Sequence, residues 1–551
     1  MARLKYLAEK HFILLSIISV LIISLIVTPL ASAVYSAAAT GNCDSALTGS
    51  DLRYHLTRIT GIADGLKGGA GIVNIYPEAL NGYGYASPLF YPDLFMYFPA
   101  FLVYLGVPLS VAYYIFIFSV YFITVALFGV LTKKFIEDKL YRYLAIILFS
   151  CYQYFIASFF LRSASGESVS LMFLIVIILG LYNMLEESFS KPHILLIGML
   201  GTAYSHILST VLAFIFVALI TLINIKKLAH QKGFFIKVIT ISILFVLLWA
   251  MFFFPFLEIY FSDKFNFSRS WTLPSENAFP FRLGQIGISI YSWIPALPLS
   301  ILLGLIAFYR TNNEHSRKTL KFLLITVGII SFCTTCVFPW FILNDTLKII
   351  QFPWRLNYIT TPLVAILITI SISLFRSKKT QKILFTGCIL MFCAICVWSY
   401  GIHPTVSYNK NDVFNSVGAA EWIPLSEDGD VYYQGFLENQ NGDKIDYSRK
   451  ENTTEITFYN NPKDASYTVP LYYYKGYTAA LTDKDNTVTP LKLERTKKGF
   501  IQVKNINKNG TVKVWYEGTN LQKYSRIITF LTLIGCMIFA GIKRIITLFK
   551  G

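Results

Sequence analysis

Three residues near the start of the chain have the types and the spacing for acid–base chemistry. Asp51, His55 and Arg58 stand at positions i, i+4 and i+7 of the segment 49–59, GSDLRYHLTRI. If this segment is helical, with Ser50 as its N-cap, the three side chains share one face. Asp51 then lies in the first turn, where the helix dipole favours an ionised carboxylate. This placement suits a general base or a charged ligand.

The same pattern also fits a capped surface helix that has no chemical role. On that interpretation Leu52 and Ile59 pack on the opposite face and the three polar residues are solvated. Nothing within the segment decides between the two interpretations. The choice depends on where the rest of the chain places the segment.

Composition indicates a polytopic membrane protein. The 551 residues are 55% hydrophobic and only 14% charged, with a mean hydropathy of +0.54. The net charge of +17 is dispersed over short loops, so it fits cytoplasmic loops beside anionic headgroups rather than nucleic-acid binding. Most cysteines lie in apolar segments, and Cys333 and Cys336 have no second pair with zinc-ligand spacing. We therefore expect no disulfide framework and no zinc site.

The first apolar run predicts an uncleaved helix with its N-terminus inside. It extends from about Phe12 to Tyr35, longer than a signal-peptide core, although residues 31–33 resemble a signal-peptidase site. A loop over 36–108 follows. Its part from Ser87 to Gly106 is apolar but contains three prolines and Asp93, which predicts an interfacial or re-entrant element rather than a crossing.

The positive-inside rule orients the remaining spans. Basic loops after residues 131, 224, 308 and 374 fall on one side if the chain crosses about twelve times with both termini cytoplasmic. This count requires 193–224 to be a hairpin of two short helices with its tip near residues 204–206. The large first loop, and Asp51 with it, is then extracytoplasmic.

Composition changes after residue 402. Residues 403–524 contain short alternating stretches at 455–459, 467–474, 500–503 and 511–516, separated by turns such as Asn441-Gly442. These features predict a small extracytoplasmic β-sandwich. The predicted domains are a transmembrane domain over 1–402, this β-rich domain over 403–524, and a last transmembrane helix over 525–551.

The predicted topology gathers unusual polar residues at the outer membrane interface. Ionisable side chains at membrane depth are costly, about 2.5 to 3.5 kcal/mol each at a helix centre, so their convergence indicates a functional site. Each also has a structural interpretation: Arg162 and Arg355 as headgroup contacts, His206 as a packing residue, and Glu167 as a helix cap. The candidate site residues are Asp51, His55, Arg58, Arg162, Glu167, His206, Gln351, Trp354 and Arg355.

These segments carry a family resemblance. The chain resembles the GT-C integral-membrane glycosyltransferases in its long first outer loop with an acidic residue soon after the first helix. It also resembles them in its interfacial elements before the second helix, its many short helices and its C-terminal extracytoplasmic domain. More narrowly, the chain resembles the bacterial YfhO-like membrane proteins, whose relatives include a group labelled "6-pyruvoyl-tetrahydropterin synthase-related". The segments that carry this resemblance are Ser50-Asp51-Leu52 with His55 and Arg58, residues 82–85 and 90–92, 351–355, 421–424, 470–477, 499–503 and 514–516.

The resemblance implies transfer of a sugar from a polyprenyl-phosphate donor to an extracytoplasmic acceptor. Asp51 would be the general base, Arg355 and Arg162 would bind the lipid phosphate, and Trp354 would offer a flat face to sugar or isoprenoid. A divalent metal bridging Asp51 to Asp44 or Glu167 is compatible with the pattern but not required by it. A lone base favours inversion at the anomeric carbon.

Other functional classes stay open at this stage. A lipid-linked glycan flippase or a polysaccharide exporter would also be polytopic, but it should place polar residues along a path through the midplane. A receptor role for the β-rich domain would need only a simple anchor. The one-sided polar cluster favours an enzyme, with membrane lipids as neighbours and no nucleic-acid partner. The sugar stays open, as does the acceptor: a teichoic-type polymer, another cell-wall glycan, a glycolipid or a protein.

Overall fold

The computed structural model describes residues 12–27, 45–47, 49–268, 272–278, 296–401, 405–407, 420–433, 435–461, 466–504 and 506–550. The chain forms two compact units. The first contains Met1–Leu52, Tyr113–Ile241 and Trp271–Ser407, and the second contains Arg53–Ala112, Ser242–Ser270 and Tyr408–Gly551. Some residues that the sequence singled out lie outside the described residues: 31–33, which resemble a signal-peptidase site, Cys43, Asp44, and 279–295, which belong to a predicted loop and crossing.

Helices make up most of the described chain. In chain order they are Phe12–Val27, Leu52–Lys67, Ser87–Phe90, Tyr97–Tyr104, Leu109–Thr132, Lys139–Ser150, Gln153–Ile156, Ser165–Glu186, Pro192–Ala203, Ile207–Ile223, Ile225–Ala229, Phe234–Tyr260, Pro274–Asn277, Ala296–Arg310, Glu314–Cys333, Trp340–Leu347, Asn357–Ser373, Lys378–Gly401 and Asn520–Lys550.

Among the described residues, five helical segments are long and apolar enough to cross a membrane. They are Leu109–Thr132, Ser165–Glu186, Phe234–Tyr260, Pro353–Ser373 and Asn520–Ile542. A sixth results if Lys139–Ser150 and Gln153–Phe160, bent by 44° at their junction, form one broken span. These segments indicate a multi-pass membrane protein. The count of about twelve crossings stays a prediction, because several apolar runs of the sequence form helices of fewer than 18 residues.

Two of those shorter helices were expected. Pro192–Ala203 and Ile207–Ile223 are separated at residues 204–206, which confirms the two short helices and the position of the break between them. The segment 87–106 likewise contains only short helices, Ser87–Phe90, Leu94–Met96 and Tyr97–Tyr104. This agrees with the expectation that it does not cross the membrane as a single helix.

Small residues bring the central helices of the first unit close together. A Cβ added at Gly180 would lie 2.7 Å from Leu195 Cα, and one at Gly198 would lie 2.7 Å from Ile177 N. Glycine at such positions lets transmembrane helices pack backbone to backbone. Tyr358 also donates a 3.0 Å hydrogen bond to Ser170 O, which joins Asn357–Ser373 to Ser165–Glu186. The starts of these two helices carry the candidate site.

The β-rich prediction is confirmed as a two-sheet region before the last helix. One antiparallel sheet has the strand order Leu493–Arg495, Phe500–Lys504, Ser466–Tyr472, Leu437–Asn439, Lys444–Ile445. The other has the order Tyr447–Arg449, Ile456–Asn460, Gly510–Tyr516, Tyr477–Asp483, Val488–Leu491. The ring centroids of Phe458 and Tyr467 lie 4.8 Å apart, so the two sheets share buried aromatic contacts. A separate two-stranded sheet pairs Ser45–Leu47 with Thr405–Ser407.

Candidate functional site

Arg162 is the centre of a polar cluster in the first unit. Arg162 directly follows a π-helical turn, Ala157–Leu161, and such turns are frequent at functional sites. The Nη1 atom of Arg162 donates to both carboxylate oxygens of Glu167, at 3.1 and 3.0 Å. Its Nη2 atom lies 3.6 Å from Asp51 Oδ2, and its guanidinium carbon lies 4.5 Å from the ring centroid of Trp354. Arg162 therefore joins two carboxylates and one aromatic face.

The charge of Arg162 is secured by its partners. Burial by itself would lower the pKa of this guanidinium, but Glu167 and Asp51 outweigh burial and raise the pKa above its ordinary value. A guanidinium with these neighbours remains protonated at any physiological pH. The cluster thus contains a permanent positive charge beside Asp51.

Asp51 is fixed from its backbone as well as its side chain. Its N–H donates to Arg162 O at 2.9 Å, and Ser50 Oγ donates to its Oδ1 at 3.2 Å. The helix begins at Leu52, so the prediction that Asp51 occupies the first helical turn, with Ser50 as the cap, is wrong. The hydrogen bond to Arg162 O shows a specific tertiary contact for this N–H, which a helix assignment from sequence does not foresee. The Asp51 side chain remains 41% exposed.

The segment before Asp51 passes close to the residue that follows Arg162. A Cβ on Gly49 would lie 2.2 Å from Ser163 Oγ, which is too close for any other residue without a shift. Ser163 itself has φ of +53°, a region that a residue with a Cβ adopts at some cost. Strained backbone of this kind persists where the surroundings determine the conformation, and it clusters at functional sites.

Glu167 is saturated with donors. Its side chain is 3% exposed and accepts hydrogen bonds from Tyr154 Oη at 2.7 Å and Ser158 Oγ at 2.9 Å, in addition to Arg162. Because four donated hydrogen bonds occupy its two oxygens, Glu167 is suited to anchor Arg162. The capping interpretation is not observed, since the helix begins at Ser165 without a side-chain cap.

Arg355 has an incomplete set of partners. Its Nη1 atom donates to Gln351 Oε1 at 2.7 Å, and its Nε atom is buried without a hydrogen-bond partner in the described part of the chain. Within those same residues no carboxylate forms an ion pair with it. Aromatic rings cover the guanidinium carbon, Phe352 at 4.9 Å and Trp354 at 5.8 Å. A half-buried cation whose Nε donor is buried and unsatisfied is a place for an anion.

Two further predicted residues belong to this neighbourhood. Gln351 holds Arg355 from a backbone with φ of +57°, a second strained position beside the cluster. His206 is the N-cap of the helix Ile207–Ile223, where its Nδ1 accepts from Ser209 N at 3.2 Å. It is nevertheless close enough to Glu167 for an electrostatic interaction. Asp51, Arg162, Glu167, Gln351, Trp354 and Arg355 thus lie in one cluster, with His206 near it.

His55 and Arg58 form part of a different cluster, in the second unit. Arg58 Nε donates to Asp93 Oδ1 at 2.7 Å, Arg58 Nη2 donates to Pro92 O at 2.5 Å, and Arg58 Nη1 lies 3.0 Å from His55 Nδ1. Tyr76 completes the group by donating to Asp93 Oδ2 at 2.5 Å. Arg58 is only 1% exposed and His55 only 2%, so the alternative interpretation of a solvated polar face does not hold for these two residues.

The role of Asp93 in this second cluster was not predicted from the sequence. Burial raises the pKa of the Asp93 carboxyl, while Arg58 and the Tyr76 hydroxyl oppose that rise. A buried, hydrogen-bonded pair of this kind ties the loop at 73–93 to the helix Leu52–Lys67. The sequence did contain one signal for this role: Asp93 is an acidic residue inside an otherwise apolar stretch. A buried acidic side chain needs a partner.

The divalent metal stays a prediction. In the described residues no three His, Cys, Asp or Glu side chains converge with the geometry of a metal site. Glu167, one of the two acids considered as a bridge, has its oxygens occupied by Arg162, Tyr154 and Ser158. Asp44, the other, lies outside the described residues.

No known protein-family model matches the chain. The chain is similar to a protein of Lactococcus lactis subsp. cremoris (strain MG1363) described as "Uncharacterized protein". The two are 25% identical over 569 aligned positions, which cover 90% of this chain and 92% of that relative. The similarity extends over nearly the full length of both proteins, so it is not confined to the helices or to the two-sheet region.

Proposed function

We propose that the protein is a membrane glycosyltransferase of the GT-C type, which moves a sugar from a polyprenyl-phosphate donor to an extracytoplasmic acceptor. The observation that carries the proposal is the pairing of an accessible carboxylate, Asp51, with the buried Arg162 and the half-buried Arg355 in one cluster. Such a transfer needs a base for the acceptor hydroxyl and fixed positive charge for the departing phosphate. We also propose that the protein has a GT-C architecture with about twelve spans and is related to the YfhO-like membrane proteins.

Asp51 is the better base of the two carboxylates in the cluster. Its side chain is 41% exposed, whereas Glu167 is 3% exposed and holds four donated hydrogen bonds. Arg162 orients the Asp51 carboxylate without covering it, since the closest atoms of the two groups are 3.6 Å apart and the Asp51 side chain stays accessible. An acceptor hydroxyl can therefore approach the free side of the carboxylate.

The proposed reaction is a direct displacement at the anomeric carbon. The acceptor oxygen forms a bond to the anomeric carbon as its proton passes to Asp51, and the bond from that carbon to the phosphate oxygen breaks. The electron pair leaves with the polyprenyl phosphate, whose growing negative charge is met by Arg355 and Arg162. Arg355 is suited to neutralise the larger part of this negative charge, since within the described residues its guanidinium has no carboxylate partner. A single displacement inverts the anomeric configuration.

The position of the cluster along the helices supports a lipid substrate. Glu167 and Arg355 are each the third residue of a candidate membrane span, Ser165–Glu186 and Pro353–Ser373. Charged residues at a span's end lie near headgroup depth, where the phosphate of a lipid-linked sugar would be. Trp354 adds a flat apolar face beside both arginines, suited to a sugar ring or an isoprene unit. The positive-inside rule assigns this end to the outer side.

The test is turnover of defined donors by purified protein. A panel of polyprenyl-phosphate monosaccharides is incubated with the wild type, with Asp51→Asn and with the control Asp485→Asn, which alters an exposed acid of the two-sheet region. We expect release of polyprenyl phosphate by the wild type and the control only. Movement of intact donor across a proteoliposome membrane without donor cleavage would instead favour the lipid-linked glycan flippase.

A further inference from the structure

A short helix of the second unit exposes a continuous apolar face. The 3-10 turn Leu94–Met96 continues directly into the helix Tyr97–Tyr104, and the two together form the apolar helical segment Leu94–Tyr104. This segment and the residue after it present side chains at i, i+4, i+7, i+10 and i+11, the spacing of one helix face. Their exposed fractions are 49, 48, 52, 44 and 62%. These five residues are called the apolar stripe: Leu94, Phe98, Phe101, Tyr104 and Leu105.

The sequence around the apolar stripe indicates what covers it. Residues 94–132 contain no Asp, Glu, Lys or Arg, and the candidate span Leu109–Thr132 begins four residues after Leu105. The helix Leu94–Tyr104 has only 11 residues, about 16 Å at 1.5 Å per residue, and is too short to cross a bilayer core of about 30 Å. An apolar segment that is too short to span, is rich in aromatic residues and leads directly into a span remains at the level of the membrane, so lipid covers its exposed face.

The same helix is tied to an arginine of the last helix. Tyr97 Oη accepts a 2.8 Å hydrogen bond from Val73 N, and the next residue, Asn74, accepts a 2.7 Å bond at Oδ1 from Arg526 Nη2. Tyr97 and Arg526 are also close enough to interact electrostatically. Consecutive residues of one loop therefore hold the stripe helix and Arg526 at the same level.

Arg526 lies at the boundary between polar and apolar parts of the last helix. Lys523 and Tyr524 precede it and are exposed, whereas Ile527 and Ile528 follow it as exposed apolar residues at the start of the lipid-facing run. Its guanidinium is half-buried, and in the described part of the chain it forms no ion pair with a carboxylate. A cation at this boundary, which among the described residues bonds to a neutral amide and pairs with no carboxylate, can take a phosphate.

We propose that Arg526 and the apolar stripe form a binding site for a bilayer phospholipid. Arg526 takes the headgroup phosphate and the stripe lies against the acyl chains. The site sets the depth of the apolar stripe and of the start of the last helix in the membrane. It is separate in sequence and in unit from the Asp51 cluster and does not depend on the proposed transfer reaction.

Photo-crosslinking tests the apolar half of the site. A benzophenone side chain replaces Phe98 or Phe101 in protein reconstituted into nanodiscs of phosphatidylglycerol and phosphatidylcholine, with replacement of the exposed Tyr459 as the control. We expect phospholipid adducts at 98 and 101 and none at 459. The proposal would be overturned if positions 98 and 101 crosslinked to a second copy of the chain, or if neither position formed a phospholipid adduct.

Phosphatidylglycerol binding in detergent, followed by native mass spectrometry, tests the polar half. Arg526→Gln should weaken binding about five-fold, the equivalent of about 1 kcal/mol for one interfacial cation, whereas Arg526→Lys should retain most of it. Lys523→Gln, an exposed cation three residues earlier, is the control that should leave binding unchanged. Unchanged binding by Arg526→Gln would contradict the proposal. So would full competition by inorganic phosphate, which would identify a free anion as the ligand. If Arg526→Gln does not fold, the lysine variant and the crosslinks decide.

Discussion

Arg162 holds Asp51 at two points: its carbonyl oxygen accepts the Asp51 N–H at 2.9 Å, and its guanidinium lies 3.6 Å from the Asp51 carboxylate. The same arginine is fixed from behind by Glu167. The position of the proposed base is therefore set by a neighbour distant in sequence, and by the packing that brings the two segments together.

That packing makes Gly49 sensitive to substitution. We expect Gly49→Ala to push the Asp51 segment away from Ser163, because the added Cβ has no space beside Ser163 Oγ. A displacement of about 1 Å of a catalytic group lowers rates by roughly a hundredfold, so transfer should fall by that order while the protein remains inserted. The control is Gly71→Ala, where an added Cβ meets nothing within 4 Å. Equal activities of the two variants would show that this close approach does not position Asp51.

Arg355 should determine affinity for the lipid phosphate. We expect Arg355→Gln to weaken binding of a short-chain polyprenyl phosphate by about tenfold to a hundredfold, since a hydrogen bond to a charged group contributes about 1.5 to 3 kcal/mol. Arg376→Gln, an exposed arginine beyond the other end of Asn357–Ser373, is the matched control. Equilibrium binding in detergent measures both, and wild-type affinity in Arg355→Gln would remove this residue from the phosphate site.

The pair Arg58–Asp93 should matter for stability rather than for chemistry. Arg58→Met leaves a buried carboxylate without its cation, a loss of about 3 to 5 kcal/mol, so the Tm in detergent should fall by on the order of 10 °C. Lys523→Met, which removes an exposed partner of Glu517, should change the free energy of unfolding by less than about 1 kcal/mol. Adding Asp93→Leu to Arg58→Met should recover part of the loss. A purely catalytic defect at unchanged Tm would instead make Arg58 a substrate contact.

Sequence patterns anticipated some of these features for definite physical reasons. Alternation predicted the strands 456–460, 466–472, 500–504 and 510–516 to within two residues, because the side-chain period of a strand is visible locally. The cost of charge in apolar segments singled out Arg162, Glu167 and Arg355, which lie in one cluster with Asp51.

Other features depend on contacts that no local pattern records. The helix start at Leu52 follows the hydrogen bond from Asp51 to Arg162, a partner more than a hundred residues away. Arg58 was grouped with Asp51 by helical spacing, but its carboxylate partner is Asp93, reached through the loop after its helix. The positive φ angles of Ser163 and Gln351 are imposed by tertiary packing, since neither residue type signals such a backbone.

Donor cleavage by Asp51→Asn is the most direct measurement of the central claim. The substitution keeps the size of the side chain and removes its ability to take the acceptor proton, while Arg162, Glu167 and Arg355 are left in place. With a polyprenyl-phosphate monosaccharide that the wild type consumes, we predict that Asp51→Asn binds polyprenyl phosphate normally and releases none by transfer, while Asp485→Asn is fully active. Transfer by Asp51→Asn at the wild-type rate would contradict the assignment of Asp51 as the base.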